Sequence, residues 1–446
     1  MSVGFIDRGK LSHIPNEDGA FGYFRKAKTS RTEDRFHIFH HRMGFFGAHQ
    51  GVVGDVALSY SGREGKVLYS VGPRATFASA DWPRAEPDWR RALAPHYAIA
   101  EKMLGAAANP ARGLQDSWLQ GTAQAMQAGS SFGGIASQAI YFGQHGDGVD
   151  PFFGGEGPQR TGCQHCGECL SACRHGAKNS LDLNYLYLAE KKGARVVPET
   201  TVTDIVPLAD GRYRVLVRSS VGGEAKPPYV ARKVIVAAGV IGTVDLLSHC
   251  REVSKSLPKL SATLGQRVRT NSESIVGVLL PPGQVANADG AAITSHCYPD
   301  ATTHITQNRF PASFAYMRWT CGPLVDAATP RARRWQTVLT MLREPGRVWR
   351  NWAARDWPAR AVMLTVMQNV DTQLTLVRAR HPLMPWRTRL TTRRPAGAHS
   401  LAFIPQALRA AQHLAHLMGH PALREARQIF AGEAVMQLRQ RLVSRR

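Results

Sequence analysis

The alternation of apolar and polar positions is weak over the first eighty residues and sharpens at Asp81. In DWPRAEPDWRRALAPHYAIAEKML, Leu93, Tyr97, Ala100 and Leu104 recur at helical spacing behind a proline- and acid-rich start. This predicts a helix that Gly105 and the Asn109-Pro110 step bring to an end. LDLNYLYLAEKK (181–192) predicts a second amphipathic helix, closed by Gly193. ARVVPETTVTDIVPL follows as β-rich sequence, and a hairpin around Asp210-Gly211 leads into YRVLVRS. ARKVIVAAG (231–239) is almost wholly apolar and runs into a small-residue turn, which predicts a buried strand whose end approaches a ligand. VIGTVDLLSHC then resumes helical spacing. This order of elements describes a nucleotide-binding α/β domain. Residues 290–320 and 362–378 add strands of a second, more β-rich region.

Composition narrows the class. The chain has 446 residues, 43% hydrophobic and 20% charged, enough for one large or two to three ordinary domains with sizeable cores. No window approaches ~18 uninterrupted apolar residues, and MSVGFIDRGKLSH lacks the apolar centre of a signal peptide. The expected location is therefore cytoplasmic. Four clustered cysteines plus scattered Cys250, Cys297 and Cys321 suit a reducing compartment better than a disulfide frame. No repeat of solenoid or propeller period is visible. His37, His40 and His41 lie in a His-rich patch with no Cys or acidic partner at ligand spacing, and read as a polar surface.

The net charge is +23, and from Ala301 onward 23 Arg and no Lys stand against 6 acids, a balance of +17. Such a field attracts nucleic acid, anionic lipid or acidic partners, while arginine-rich codon usage produces the same excess without a function. Nucleic acid is the weakest of these readings, because no reading module is recognisable. In PRARRWQTVLTMLREPGRVWRNWAARDWPAR, Arg and Trp alternate with aliphatics. That pattern suits helices lying on a membrane surface, or an ordinary pair of surface helices.

The densest chemistry is GCQHCGECLSACRHGAKNS (162–180), with Cys163, Cys166, Cys169 and Cys173 at the spacing of a ferredoxin run. On an ideal helix these positions fall in a stripe about 120° wide, whereas Gly162, Gly167 and Gly176 favour a loop. The four thiols could be metal ligands, for an iron–sulfur cluster or zinc, or reduced structural groups. One contiguous run rarely wraps a whole cubane, and structural zinc usually draws on two separated knuckles.

With its flanks, this run becomes part of a longer pattern. PFFGGEGPQRTGCQHCGECLSACRHGAKNSLDLNYLYLAEKKGARVVPETTVTDIVP, followed by VIVAAGVIGTVDLL and LGQRVRTNSE, resembles the glucose–methanol–choline (GMC) oxidoreductases, in their cholesterol-oxidase-like branch. The resemblance covers roughly residues 62–410 and is strongest from Asp150 to Glu273. DWPRAEPDWRRALAPHYAIAEKMLG, AAITSHCYPDATTHI and VMLTVMQNVDTQLTL match more weakly, in the expected order. It implies an α/β fold (α+β overall) in which a Rossmann-like FAD-binding domain, incomplete here, is interleaved with an antiparallel-sheet substrate domain. It also implies FAD as cofactor, with Val202 beside the adenine and Ala237, Ala238 and Gly239 along the phosphate–ribose region, where small residues admit a close backbone. The boundaries it suggests are a divergent segment 1–61, an FAD-binding portion 62–275 carrying the Cys-rich insert 162–180, a substrate portion 276–405 with basic helices 329–360, and a basic helical tail 406–446.

Two features of the family's pattern are not found. No strand–G-x-G-x-x-G–helix unit is present: the glycines at 44, 47, 51 and 54 have the wrong spacing, and Arg63, Glu64 and Lys66 stand where small residues are expected beside a flavin. The late Gly-rich segment with the general-base His is also absent, and His416 and His420 sit in the wrong context to take that role. The sequence therefore reads as an FAD-dependent oxidoreductase for the CH–OH group of a bulky, sterol-like alcohol, with its two essential ends missing or overwritten, as in a truncated or inactive chain. Two alternatives stand beside it. One is a non-catalytic remnant that associates peripherally with membranes, and the other is an iron–sulfur electron-transfer module.

Overall fold

The computed structural model describes residues 86–418, apart from short stretches at 135–136, 144–147, 170–172, 270–273, 287–289, 320, 328, 369–372, 382–383 and 394–403. The His-rich patch, the glycines at 44–54, the Arg63–Lys66 stretch and the tail from 419, His420 included, lie outside the described residues.

The predicted first helix forms as α1 (Trp89–Leu104). The Asp88 carboxylate accepts from the Arg91 N–H at its start, and Gly105 takes the left-handed conformation at its end. A two-stranded ladder, β1 (Ala107–Ala108) with β2 (Ser137–Gln138), brackets α2 (Leu114–Ala125). Outside 170–172, the Cys-rich run follows as a loop, with Gly167, Gly176 and His165 at positive φ. The 181–192 helix forms as α3 (Tyr185–Lys191) after one 3₁₀ turn.

Next comes an antiparallel sheet in the order β3 (Thr200–Pro207), β4 (Tyr213–Ser219), β5 (Ala225–Ala231). The predicted hairpin is β3–β4. The expectation of a buried strand over 231–239 is corrected: only Ala231 of that run lies in a strand, as the last residue of β5 beside β4. Pro227 and Pro228 fit β5 because it is an edge strand with a bulge there. Residues Arg232–Ala238 run as coil, with Ile235 73% exposed. Apolar runs signal burial, but a strand also needs a neighbour, and among the described residues none lies beside this one.

Helix α4 (Gly239–Glu252) opens directly from that run and packs on β3. After β6 (Val268–Arg269), the second region is built on a sheet ordered β7 (Ser274–Leu279), β10 (Ala361–Gln368), β9 (Thr303–Asn308), β8 (His296–Cys297), all antiparallel. β10 is central and buried at every position, as its run AVMLTVMQ requires. A 3₁₀ segment (312–319) and the helices α5 (Pro330–Arg343), α6 (Pro345–Ala353) and α7 (Trp357–Arg360) lie between β9 and β10. β11 (Gln373–His381) and β12 (Met384–Arg393) form a hairpin joined by β6, and α8 (Pro405–Leu417) covers the main sheet. The core lies between that sheet and α2 and α8, through Val276, Ile305, Leu364 and Val366 against Leu119, Ala410 and Leu414. Every ladder among the described strands is antiparallel, so the antiparallel-sheet half of the expected architecture is present there and the parallel half is not.

Candidate functional site

The conformation of the Cys-rich loop is set by backbone bonds to two separate segments, around Tyr141 and Gly290. Cys163 N–H donates to Tyr141 C=O at 2.9 Å, Tyr141 N–H to Ala177 C=O at 2.8 Å, and Gly290 N–H to His165 C=O at 2.8 Å. Lys178 reaches the Cys169 carbonyl through Nζ at 3.0 Å. Arg160 is buried and donates to the carbonyls of Lys178 and Leu183, which ties the loop's exit to the turn before α3. Burial pulls its pKa down to about 10, against the pull of Asp182 and Asp150. Ahead of the loop, the Asp150 carboxylate accepts four backbone N–H bonds, from Phe152, Phe153, Gly155 and Gly157. Burial alone would raise its pKa, but these bonds together hold it below the ordinary value.

The result is a small pocket of about 10 Å³, lined by all four clustered cysteines with Ile140, Glu168, His175 and Lys178. Its floor is the small apolar cluster Cys163, Cys169, Ile140, Ala177 and Ala291–Ile293. Burial pushes the Cys163 thiol up to about 12 and raises Cys166 and Cys169 as well. Without a counter-charge, burial keeps the thiols of Cys163, Cys166 and Cys169 protonated at pH 7, which makes them poor nucleophiles. Among the described residues no three His, Cys, Asp or Glu side chains converge as a metal site. The structure thus brings Cys163, Cys166, Cys169 and Cys173 together around one pocket, and the iron–sulfur expectation finds no support in their arrangement.

The residues expected along the cofactor sit on the adjoining sheet–helix unit. Val202 is half-buried on β3. Ala237 and Ala238 end the exposed run, and Ala238 is the N-cap of α4 with no side-chain cap. Gly239 has φ +70, with nothing within 4 Å of where a side chain would begin. β3 and α4 are joined by Cys250 Sγ–H donating to Asp204 Oδ1 at 3.2 Å. Burial would raise the Asp204 carboxyl, but Ser256, Cys250, Ser254 and the Ile205 N–H hold it below its usual value. An exposed, uncapped helix N-terminus behind a small-residue turn presents free N–H groups and a positive dipole end, which suits a phosphate. His416 is exposed on the last turn of α8.

Sequence reasoning missed the polar cluster that joins this loop to the main sheet. Asp116 on α2 accepts from Ser295 Oγ at 2.7 Å, from Thr294 Oγ1 and from the Gly113 N–H at 2.7 Å, and pairs with Arg309 at 3.4 Å. Arg309 lies against Gly290 and close to Gly167 of the loop. No motif marks these residues, because their partners are about 180 to 190 positions apart.

Comparison with known proteins agrees with this layout. Residues 158–250, the Cys-rich loop through α4, match the profile of the GMC oxidoreductase family. A cholesterol oxidase of Mycobacterium tuberculosis is 37% identical over 337 residues, 72% of this chain and 57% of that protein. A cholesterol oxidase of Acinetobacter baumannii is 33% identical over 374 residues, 80% of this chain and 66% of that protein. The chain thus spans under two thirds of the length of these relatives. A solved FAD-dependent oxidoreductase from Chaetomium thermophilum shares 10% identity at a TM-score of 0.34, covering 75% of this chain and 61% of that one. The chain belongs to the GMC oxidoreductases. Within that family it falls in the cholesterol-oxidase-like branch.

Proposed function

We propose that the protein is an FAD-dependent oxidoreductase acting on the CH–OH group of a bulky, sterol-like alcohol. The observation that carries this reading is the 33–37% identity to cholesterol oxidases over 337–374 residues. The Ala237–Ala238–Gly239 turn fits one part of the cofactor, since its open backbone and uncapped helix end can receive a phosphate–ribose segment. Val202 on β3 would lie at the adenine end. The chemistry that FAD supplies when bound is acceptance of hydride from the alcohol carbon. The described residues contribute binding and orientation, and the proton acceptor expected from the family is not among them. The test is direct: purified protein, alone and after titration with FAD, is examined for flavin absorbance near roughly 450 nm. Protein that stays colourless after titration and gel filtration overturns the cofactor assignment.

A second reading, as a protein that docks on anionic membrane surfaces, is favoured by α5 and α6. Trp335, Val338 and Leu342 form an i, i+3, i+7 stripe on α5, and Trp335, Leu342 and Trp349 are 66, 72 and 67% exposed. Exposed Arg331, Arg334, Arg343, Arg350 and Arg355 surround them, an arrangement suited to aromatic insertion beside acidic headgroups. Trp352 is not part of this face: it is half-buried against Trp319, and Arg347 pairs with Glu344. Cosedimentation with phosphatidylserine vesicles should fall at least tenfold in a Trp335→Ala/Leu342→Ala/Trp349→Ala variant. Unchanged binding removes this face from consideration.

A further inference from the structure

The face of the main sheet turned away from α2 and α8 is polar and incompletely hydrogen-bonded. Directly opposed residues of antiparallel strands share a face. The register His296↔Thr306↔Thr365, His304↔Met367 and Asn308↔Met363 therefore places these side chains together. The opposite face carries Gln307 and Gln368, which reach Asp116 on α2 and Gln406 on α8. On the first face Asn308 donates to Thr365 Oγ1 and is satisfied. The others are not: among the described residues, both ring nitrogens of His304, Nδ1 of His296 and Oγ1 of Thr306 have no hydrogen-bond partner, although these residues are only 2%, 1% and 1% exposed.

Unpaired polar atoms at that depth are rare and costly, and four of them on three neighbouring residues form a concentration that asks for a ligand. The rings are held in place. His304 stacks on Tyr298 at 4.7 Å, and His296 lies 5.3 Å from His304. His296 also sits beneath Gly133, where a Cβ would fall 2.3–2.4 Å from its ring atoms, so only glycine leaves it room. Burial drives the pKa of His296 down to about 4 and that of His304 to about 3, with His296 adding to the second shift. Each ring at pH 7 therefore offers one N–H and one bare nitrogen. Met363, Met367 and Ile275 share the face, and the register places no charged side chain on it. A charged ligand would go uncompensated there, whereas a hydroxyl can donate to a bare nitrogen and accept from an N–H or from Thr306.

We propose that His296, His304 and Thr306 form a recognition site for a neutral hydroxyl carried on an apolar body. The inference rests on the preceding reading that the ligand is a lipophilic alcohol, and it names where the hydroxyl docks. The experiment compares binding of cholesterol with that of 5α-cholestane, which lacks the hydroxyl, to the full chain and to His304→Phe and Thr306→Val variants. Wild type should prefer the hydroxyl-bearing sterol by at least about tenfold. Each variant should lower that preference by about tenfold while raising the melting temperature, because an apolar replacement removes an unpaired buried group. That pairing of a more stable fold with lost discrimination is what a purely structural role does not produce. If wild type discriminates and both variants discriminate equally well, the site is overturned and the alcohol reading stands. If wild type binds neither sterol, both fall. Lowered melting temperatures in both variants also overturn the proposal, since they would show the groups already partnered in the free protein.

Discussion

Removing the Asp116 carboxylate tests the joint between the Cys-rich loop and the main sheet. In the native fold Asp116 and Arg309 are both fully buried, 3.4 Å apart at the nearest oxygen and nitrogen. The carboxylate also accepts from Thr294, Ser295 and the Gly113 N–H. Arg309 donates in addition to Ala291 C=O and Thr294 Oγ1, both at 3.0 Å. Asp116→Ala leaves the Arg309 guanidinium buried without its carboxylate and takes the acceptor from Thr294, Ser295, Gln307 and the Gly113 N–H. Breaking a buried pair from one side typically costs about 3–5 kcal/mol, and the size of this network puts the expected loss near the upper end. At roughly 2–4 °C per kcal/mol for a cooperative unit of this size, the melting temperature should drop by roughly 6–20 °C. The assay is urea and thermal unfolding of Asp116→Ala, Arg309→Met and the double variant. The double variant removes both charges, so its loss should be smaller than the sum of the singles by about 2 kcal/mol or more. A single-variant loss under about 1 kcal/mol, or strictly additive losses, would refute the reasoning that these groups form one buried charge pair.

Two further outcomes follow from the same geometry. Gly290 has φ +125 and no room for a side chain, since a Cβ would lie 2.9 Å from the Arg309 guanidinium carbon. Gly290→Ala should cost about 1–3 kcal/mol and should speed reaction of buried Cys163 and Cys169 with a thiol reagent, read by mass spectrometry; unchanged labelling with unchanged stability counts against the tether. His296 and His304 carry folded pKa values below the usual 6.5, so between about pH 6.5 and 4 the unfolded chain binds more protons and stability is lost as pH falls. The melting temperature should therefore decline more steeply from pH 7 to 5 in wild type than in His304→Phe, and equal slopes would remove the histidines as the cause.

Local signals were legible wherever a short segment decides its own conformation. Asp88 and Gly105 bound α1, Asp210-Gly211 turns β3 into β4, and the Arg/Trp stretch forms two surface helices, each as its residues imply. The family, too, was legible in the run from Asp150 to Glu273. The strand expected at ARKVIVAAG does not form beyond Ala231 because an apolar run does not specify a neighbouring strand to pair with, whereas AKPPYVA pairs with β4 despite two prolines. Which tryptophans of the Arg/Trp stretch face outward was likewise not legible: Trp349 is exposed while Trp352, three residues on, is packed.

Cysteine spacing alone left a cluster, a zinc site and plain thiols open. Only the three-dimensional arrangement shows all four around one pocket, with burial raising the thiols of Cys163, Cys166 and Cys169, because burial, which no spacing encodes, decides thiol acidity. By itself the sequence determined α1, α3, α4, the β3–β4 hairpin and the family, all matters of residues within a few positions of one another. The tertiary structure decided the Asp116–Arg309 pair and the unpaired histidine face. Those depend on strand register and on contacts across about 190 residues, where hydrogen bonding and desolvation are set by neighbours that the chain order does not name.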